Sequence, residues 1–384
     1  MKRIISLVLA LGLVCVCLVP SARAAAPEGL DMAAPSALLM EKSTGTVLWE
    51  KDAHTQYEPA SVTKVMTLLL VMEAIDAGTL GWEDMVTASA YACSMGGSQI
   101  WLKENEQMSV SDMVKAVAVA SANDCAVALA EHLAGSEGAF VERMNQRAAE
   151  LGMEHTVFRN CTGLPAEGHV SCAWDIALMS RELILNHPDI RAYTTIWMDT
   201  LRDGQFQLSN TNRLIFYYDG ATGLKTGSTD TALYCLSATA ERDGMELIAV
   251  VMHAPTSNDR FESAKALLNY GFAGWALTTV YPDQALSPVP VLLGQQDTVQ
   301  PVPQRECVIL AEKGQEGAIT TQVELAQSVE APVEAGQQLG TFHILVNGEQ
   351  RDSIPLVAAQ EVGRLGVGDL FRGLLDQLFL QETG

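Results

Sequence analysis

Basic residues are scarce in this 384-residue chain: 24 Lys and Arg stand against 46 Asp and Glu, a formal net charge of −22 at neutral pH. Phosphate backbones are bound by clustered cations, so the shortage argues against nucleic acid as a partner. Long apolar runs are nearly missing too. The one present, Ile4 to Val19, follows Lys2 and Arg3 and precedes the small residues of Ala22-Arg-Ala24. That is the order of a secretory leader over residues 1–24, with cleavage expected after Ala24 and an extracytoplasmic destination. No later stretch reaches membrane-spanning length. Internal repeats are absent. His155, Cys161, His169 and Cys172 invite a zinc reading, but they lack the closely spaced cysteine pair of such sites. No metal and no cofactor is expected. Beyond the leader six cysteines remain, at 93, 125, 161, 172, 235 and 307. The chain is too large to depend on a disulfide framework, although a Cys161 to Cys172 bridge stays open. Cys125 and Cys235 lie inside apolar runs and are expected as small buried residues.

The length suits two domains with appendages. Ala37-Leu-Leu-Met-Glu41 and Thr46-Val-Leu-Trp49 flank a Gly-containing turn and read as a hairpin. From about Ser109 to Gly152 the chain is alanine-rich and helical, broken at Ser121-Ala-Asn123 and at Gly135-Ser-Glu-Gly138. Ala232–Ala240 and Glu246–His253 restore a strand pattern around Asp243-Gly244, and a helix over about Asn258 to Ala273 follows. Residues 25–276 are thus expected as one α/β domain with an all-helical lobe. Residues 277–362, rich in Pro, Gln, Val and Thr, are expected as a separate β-rich domain. In the tail, 363–384, Leu370, Phe371, Leu374, Leu375, Leu378 and Phe379 share a helical face. This amphipathic helix suits peripheral membrane contact, docking on protein or oligomerisation, and Asp369 and Asp376 outweigh Arg372 against anionic lipid.

Three short motifs carry chemistry. Glu58-Pro-Ala-Ser-Val-Thr-Lys-Val-Met-Thr67 opens an apolar helix through Pro59 and sets Ser61 and Lys64 three residues apart, on one helical face. A serine hydroxyl becomes nucleophilic when an adjacent base takes its proton. Lysine serves as that base only where burial, aided by a second cation, pulls its pKa down. The bland alternative is a helix-capping serine. Ser121-Ala-Asn123 sits at a helix break where a hydroxyl and an amide can project into a cleft, or where Ser121 merely caps a helix. Lys225-Thr-Gly227 opens the second strand region, where glycine permits close approach of a ligand, or forms an ordinary solvated turn.

Taken in order, these motifs resemble the active-site serine enzymes that bind penicillin, for which Ser-x-x-Lys, Ser-x-Asn and Lys-Thr-Gly are the signature. Ser94-Met-Gly-Gly-Ser-Gln-Ile-Trp-Leu102, Asn160-Cys-Thr-Gly-Leu164, Asn210-Thr-Asn-Arg-Leu214, and Ala331–Gly336 with Ile354–Ala359 in the second domain narrow the likeness. They are similar to the low-molecular-mass D-alanyl-D-alanine carboxypeptidases. The resemblance implies a β-lactamase/DD-peptidase-like fold, an antiparallel sheet flanked by helices. It also implies a peptidoglycan stem peptide ending in D-Ala-D-Ala as substrate and β-lactam antibiotics as covalent inhibitors. By the same likeness Ser61 attacks, Lys64 takes its proton, and Ser121 protonates the leaving amine. Asn123 holds the substrate amide and orients Lys64, while Lys225 and Thr226 receive the terminal carboxylate. Gly227 gives clearance, and the N–H groups of Ser61 and Ser228 hold the oxyanion.

Two rivals remain at this point. Glu182-Leu-Ile-Leu-Asn186 matches in letters the Glu-x-x-Leu-Asn of class A β-lactamases, but its setting is helical in period, which places Glu182 on a solvated face, and Ala122 stands where those enzymes carry aspartate. A silent muropeptide-binding or penicillin-sensing protein is the other rival, and it needs neither Ser61 nor Lys64.

Overall fold

The structure is a computed structural model and describes residues 30–368 and residue 371. The leader and most of the tail 363–384, expected as a helix, lie outside the described residues. The central sheet has five antiparallel strands, in spatial order Val47–Lys51, Ser36–Glu41, Met245–Ala254, Leu233–Arg242 and Ala221–Thr229. The two expected hairpins are both present. Successive side chains of a strand point to opposite faces, and here both faces are covered. Leu38, Met40, Ile248, Val250 and Met252 join one buried cluster, whereas Ala37, Leu39, Leu247, Ala249 and Val251 join another. That two-sided burial is why Leu247-Ile-Ala-Val-Val-Met252 is unbroken apolar text, unlike the alternating text of a half-exposed sheet.

The helix Ser257–Gly274 covers the second face through Phe261, Ala264, Leu267, Leu268 and Phe272. The first face carries the helical lobe. Lys64–Asp76 runs through its middle, apolar on nearly every side and buried accordingly. Around it lie Val110–Ala120, Asn123–Ala134, Glu137–Glu150 and Ala173–Asn186. The breaks fall where expected: Ser121 is left-handed at φ 63°, and Gly135 at φ 79° ends the next helix.

Past the helix, Trp275–Thr279 pairs with Val308–Glu312. A four-stranded antiparallel sheet follows, ordered Pro301–Pro303, Glu349–Ala358, Gln338–Val346 and Ile319–Leu325. Phe342, Ile344, Ile354 and Leu356 fill its core. The C-terminal part is β-rich, as its composition predicts. Among the described residues no helix is long and apolar enough to cross a membrane.

Candidate active site

Ser61 lies in a single 3-10 turn, Ala60–Thr63, and Lys64 is the first residue of the helix that follows. The shared face expected of an α-helix is achieved instead by the tighter turn, in which residues three apart eclipse. Lys64 Nζ is 3.0 Å from Ser61 Oγ and donates to the Thr162 carbonyl at 2.7 Å. Ala60, just before the nucleophile, has φ 47°, a left-handed conformation that costs an L-residue about 1–2 kcal/mol. Its carbonyl is pressed against Gly163: a Cβ there would sit 1.8 Å from Ala60 O.

Lys64 is fully buried, and burial pulls its pKa from 10.5 to about 7, with Cys161 and Asp124 acting the other way. Burial, and not a second cation, is therefore what carries the Lys64 shift. The repulsion between the two amines is felt at Lys225, which burial first, then Lys64 and Arg260, hold well below its ordinary value.

Lys225, Thr226 and Gly227 stand inside the nine-residue edge strand Ala221–Thr229, paired with Ser237, Leu236 and Cys235, and so form no solvated turn. Lys225 is 1 % exposed and Thr226 6 %, while Ser228 is exposed at the cleft. Thr226 Oγ1 donates to Thr211 Oγ1 at 2.7 Å. A Cβ on Gly227 would lie 2.9 Å from Ser61 N and 2.7 Å from Pro59 O, so only glycine lets the strand pass this close to the nucleophile's backbone.

Ser121 faces the same cleft, a cavity of about 510 Å³ lined also by Ser61, Ser98, Thr226, Gly227 and Ser228. Asn123 is buried beside it, but its Nδ2 donates to Gly96 O at 2.6 Å and its backbone N–H to Ser98 O at 2.7 Å. It thus pins the 96–98 segment, while the Thr162 carbonyl holds Lys64. Asn123 Oδ1 is buried without a partner among the described residues.

Residues 21–256 match the family model of D-alanyl-D-alanine carboxypeptidases, peptidase family S11, and residues 276–364 match the C-terminal domain of penicillin-binding protein 5. The chain belongs to the D-alanyl-D-alanine carboxypeptidase family. It is a serine-type carboxypeptidase hydrolase. It is 40 % identical over 375 residues to the D-alanyl-D-alanine carboxypeptidase DacF of Bacillus subtilis, spanning 95 % of this chain and 96 % of that one. The crystal structure of penicillin binding protein 5 from Haemophilus influenzae is similar with a TM-score of 0.74 at 30 % identity, over 88 % of this chain and 99 % of that chain. Penicillin-binding protein D2 of Listeria monocytogenes, solved in its ampicillin-bound form, matches at TM-score 0.56 and 34 % identity, over 64 % of this chain and 99 % of its own.

The carboxypeptidase cleft also holds residues that the motifs do not name. Arg260 reaches in from the helix Ser257–Gly274, 6 % exposed, donating to Gly227 O at 3.2 Å and Cys235 O at 3.3 Å. Its Nε is buried without a partner among the described residues, and burial lowers its pKa to about 10. A signal for it exists in the text: Arg260 falls in register with Ala264, Leu267, Leu268 and Gly271, a charge on an otherwise apolar stripe. Trp197 and Arg213 also line the cleft.

Glu182 is helical as expected, within Ala173–Asn186, but it is not on a solvated face. It pairs with Arg147 at 2.6 Å, its side chain 20 % exposed, and it does not line the cleft. Arg147 binds Glu73 as well, at 2.7 Å. Glu73, Glu182 and His187 lie close enough together to share an ion, but the carboxylates hold Arg147 and His187 holds Asp76. The zinc candidates are occupied separately. His169 Nε2 meets Thr63 Oγ1 at 2.8 Å, and Cys172 caps a helix by accepting from Asp175 N. Cys161 and Cys172 are both buried free thiols, so the open bridge between them is not formed, and Cys125 and Cys235 are buried as expected.

Proposed function

We propose that this carboxypeptidase removes the terminal D-alanine of peptidoglycan stem peptides through an acyl-enzyme on Ser61. The observation that carries the reading is the 3.0 Å contact between Ser61 Oγ and a buried Lys64 amine, in a cleft shared with Ser121 and the 226–228 strand. Near pH 7 about half of the Lys64 amines are uncharged. The Ser61 proton passes to Lys64 Nζ as Oγ attacks the penultimate carbonyl. The Ser61 and Ser228 N–H groups receive the oxyanion, each contributing about 3–4 kcal/mol. Ser121 gives its proton to the departing amine and takes in return the one Lys64 holds, the C–N bond breaks, and D-alanine leaves. Water then cleaves the acyl ester. Asn123 holds the substrate amide, and Gly227 supplies the clearance that brings strand and nucleophile together.

The terminal carboxylate is received by Thr226, by Lys225 and by the missed Arg260. A carboxylate entering among these cations returns Lys225 to its charged form. β-Lactams, whose strained amide carbonyl meets the same serine, acylate Ser61, in keeping with the ampicillin-bound relative. The protein acts outside the cytoplasm, delivered by the leader 1–24. Residues 25–276 form the catalytic unit, 277–362 a β-rich platform, and the tail 363–384 serves peripheral membrane contact, docking on protein or oligomerisation.

The test is incubation with diacetyl-Lys-D-Ala-D-Ala and detection of free D-alanine by mass. Release by the wild type and none by Ser61→Ala is expected. Undiminished release by Ser61→Ala removes the assignment.

A further inference from the structure

The loop 160–164 touches both halves of the nucleophile pair. At one end Thr162 presents its carbonyl to Lys64 Nζ at 2.7 Å. At the other, Gly163 lies so close to Ala60 that a Cβ would overlap its carbonyl. A neutral amine has two N–H groups and one lone pair. Anchoring an N–H on Thr162 O limits the rotation about the last C–N bond, so that the lone pair that must take the Ser61 proton has two positions left, one of them toward Ser61 Oγ.

What holds Thr162 in place is Asn160. Its Oδ1 accepts from Thr162 N at 3.1 Å, Thr162 Oγ1 at 3.1 Å and Gly163 N at 2.7 Å, and its Nδ2 donates to Leu164 O at 2.8 Å. One side chain thus closes the whole loop on itself. A second brace lies outside it. Glu137 Oε1 accepts from Cys161 N at 3.0 Å and Cys161 Sγ at 3.2 Å, while Oε2 accepts from Tyr91 OH at 2.6 Å. Thr67, one turn after Lys64 on the same helix, donates to Cys161 O at 2.6 Å. The loop and the Lys64 helix are therefore tied twice, through adjacent residues.

We propose that Asn160 is a positioning residue of the carboxypeptidase, acting through the Thr162 carbonyl to aim the Lys64 lone pair at Ser61. It touches neither substrate nor reacting atoms. The inference rests on the reading of Ser61 and Lys64 given above. Three titratable groups face Lys64: Asp124 from the helix Asn123–Ala134, Cys161 from the loop and Lys225 from the edge strand. Asn160→Asp keeps the acceptor for Thr162 and Gly163 but adds a negative charge that favours the ammonium form of Lys64. Asn160→Ala removes the closure outright.

The experiment is stopped-flow acylation by a fluorescent penicillin from pH 5.5 to 9, separating noncovalent affinity from the acylation rate. Asn160→Ala is expected to acylate on the order of tenfold to a hundredfold more slowly, as misplaced reacting groups do, with affinity within about twofold of wild type. Asn160→Asp is expected to move the acid limb of the rate to higher pH while retaining most of the plateau rate. Asn145→Ala controls for general loosening: Asn145 binds Val141 O and Phe158 O just upstream and does not reach Lys64, so it should lower Tm without moving the limb. Wild-type rate and limb in Asn160→Ala overturn the proposal. So does a slowing that Asn145→Ala reproduces in full, or an unmoved limb in Asn160→Asp, which decides the matter even if the alanine variant fails to fold. A wild type that penicillin never acylates tells instead against the Ser61 and Lys64 reading itself.

Discussion

The acylation rate of this protein should rise about tenfold between pH 6 and pH 8, and Lys64 should own that rise. Its pKa falls from 10.5 to about 7 because the amine is fully buried. At about 7, roughly one amine in ten is neutral at pH 6 and roughly nine in ten at pH 8. An ordinary lysine at neutral pH would be uncharged in only ~0.03 % of molecules, a penalty of roughly a thousandfold or more in competent enzyme, or about 4 kcal/mol. The assay is acylation by a fluorescent penicillin, checked against D-alanine release from the diacetyl tripeptide, whose terminal carboxylate stays ionised throughout. Lys225 is coupled to Lys64, so the limb is a property of the amine pair. Lys64→Arg separates them, since it keeps charge and reach but cannot give up its proton, and it should lose at least a thousandfold at every pH tested. The same shift has a stability consequence. Lys64 in the folded chain sheds a proton that the unfolded chain keeps up to pH 10.5, so stability rises with pH between about 7 and 10.5, and the cost of the buried charge is fully present below 7. Lys64→Met should lose the part of the rise that Lys64 contributes and keep the part that the equally buried Lys225 contributes. A flat acylation profile, or a limb near pH 10, refutes the reasoning.

Three further outcomes follow from the site. Arg260→Ala should weaken discrimination of the free-acid peptide over its C-terminal amide by roughly tenfold to a hundredfold in kcat/KM, the worth of a charge-assisted hydrogen bond; unchanged discrimination removes Arg260 from carboxylate recognition. Gly163→Ala should yield unstable protein with little penicillin labelling, because its Cβ meets Ala60 O at 1.8 Å, and a variant with wild-type Tm and labelling contradicts that close approach. Glu182→Ala should lower Tm by a few degrees through loss of the Arg147 pair, while the acyl-enzyme lifetime stays as in wild type; a longer lifetime would give Glu182 a deacylating role.

Much of this architecture is legible in the residue pattern, and what is not has identifiable causes. Apolar strand runs, helix breaks at Ser121 and Gly135, and the order of the three motifs are all local text. The 3-10 geometry at Ser61 is not, because an i,i+3 pair reads the same in either helix type. Lys225-Thr-Gly227 leaves a solvated turn open beside the start of a strand, since a lysine and a glycine rarely lie deep in a strand, and the close approach to Pro59 and Ser61 is what requires the glycine. Glu182 is misplaced by periodicity because its partner, Arg147, comes from a distant helix. The holder of Lys64 is a backbone carbonyl, and main-chain acceptors leave no letter of their own. Arg260 is the recoverable omission, since a lone guanidinium on an apolar stripe asks for a partner.

The strand Ala221–Thr229 is the last of its sheet, with a neighbour on one side only. Unpaired sheet margins ordinarily invite unwanted association between chains. Here Thr226, Gly227 and Ser228 line the cavity, so an elongated guest seated there lies alongside the strand and can extend the sheet as a sixth ribbon. Recognition of that kind grips main chain and leaves alternate side groups free.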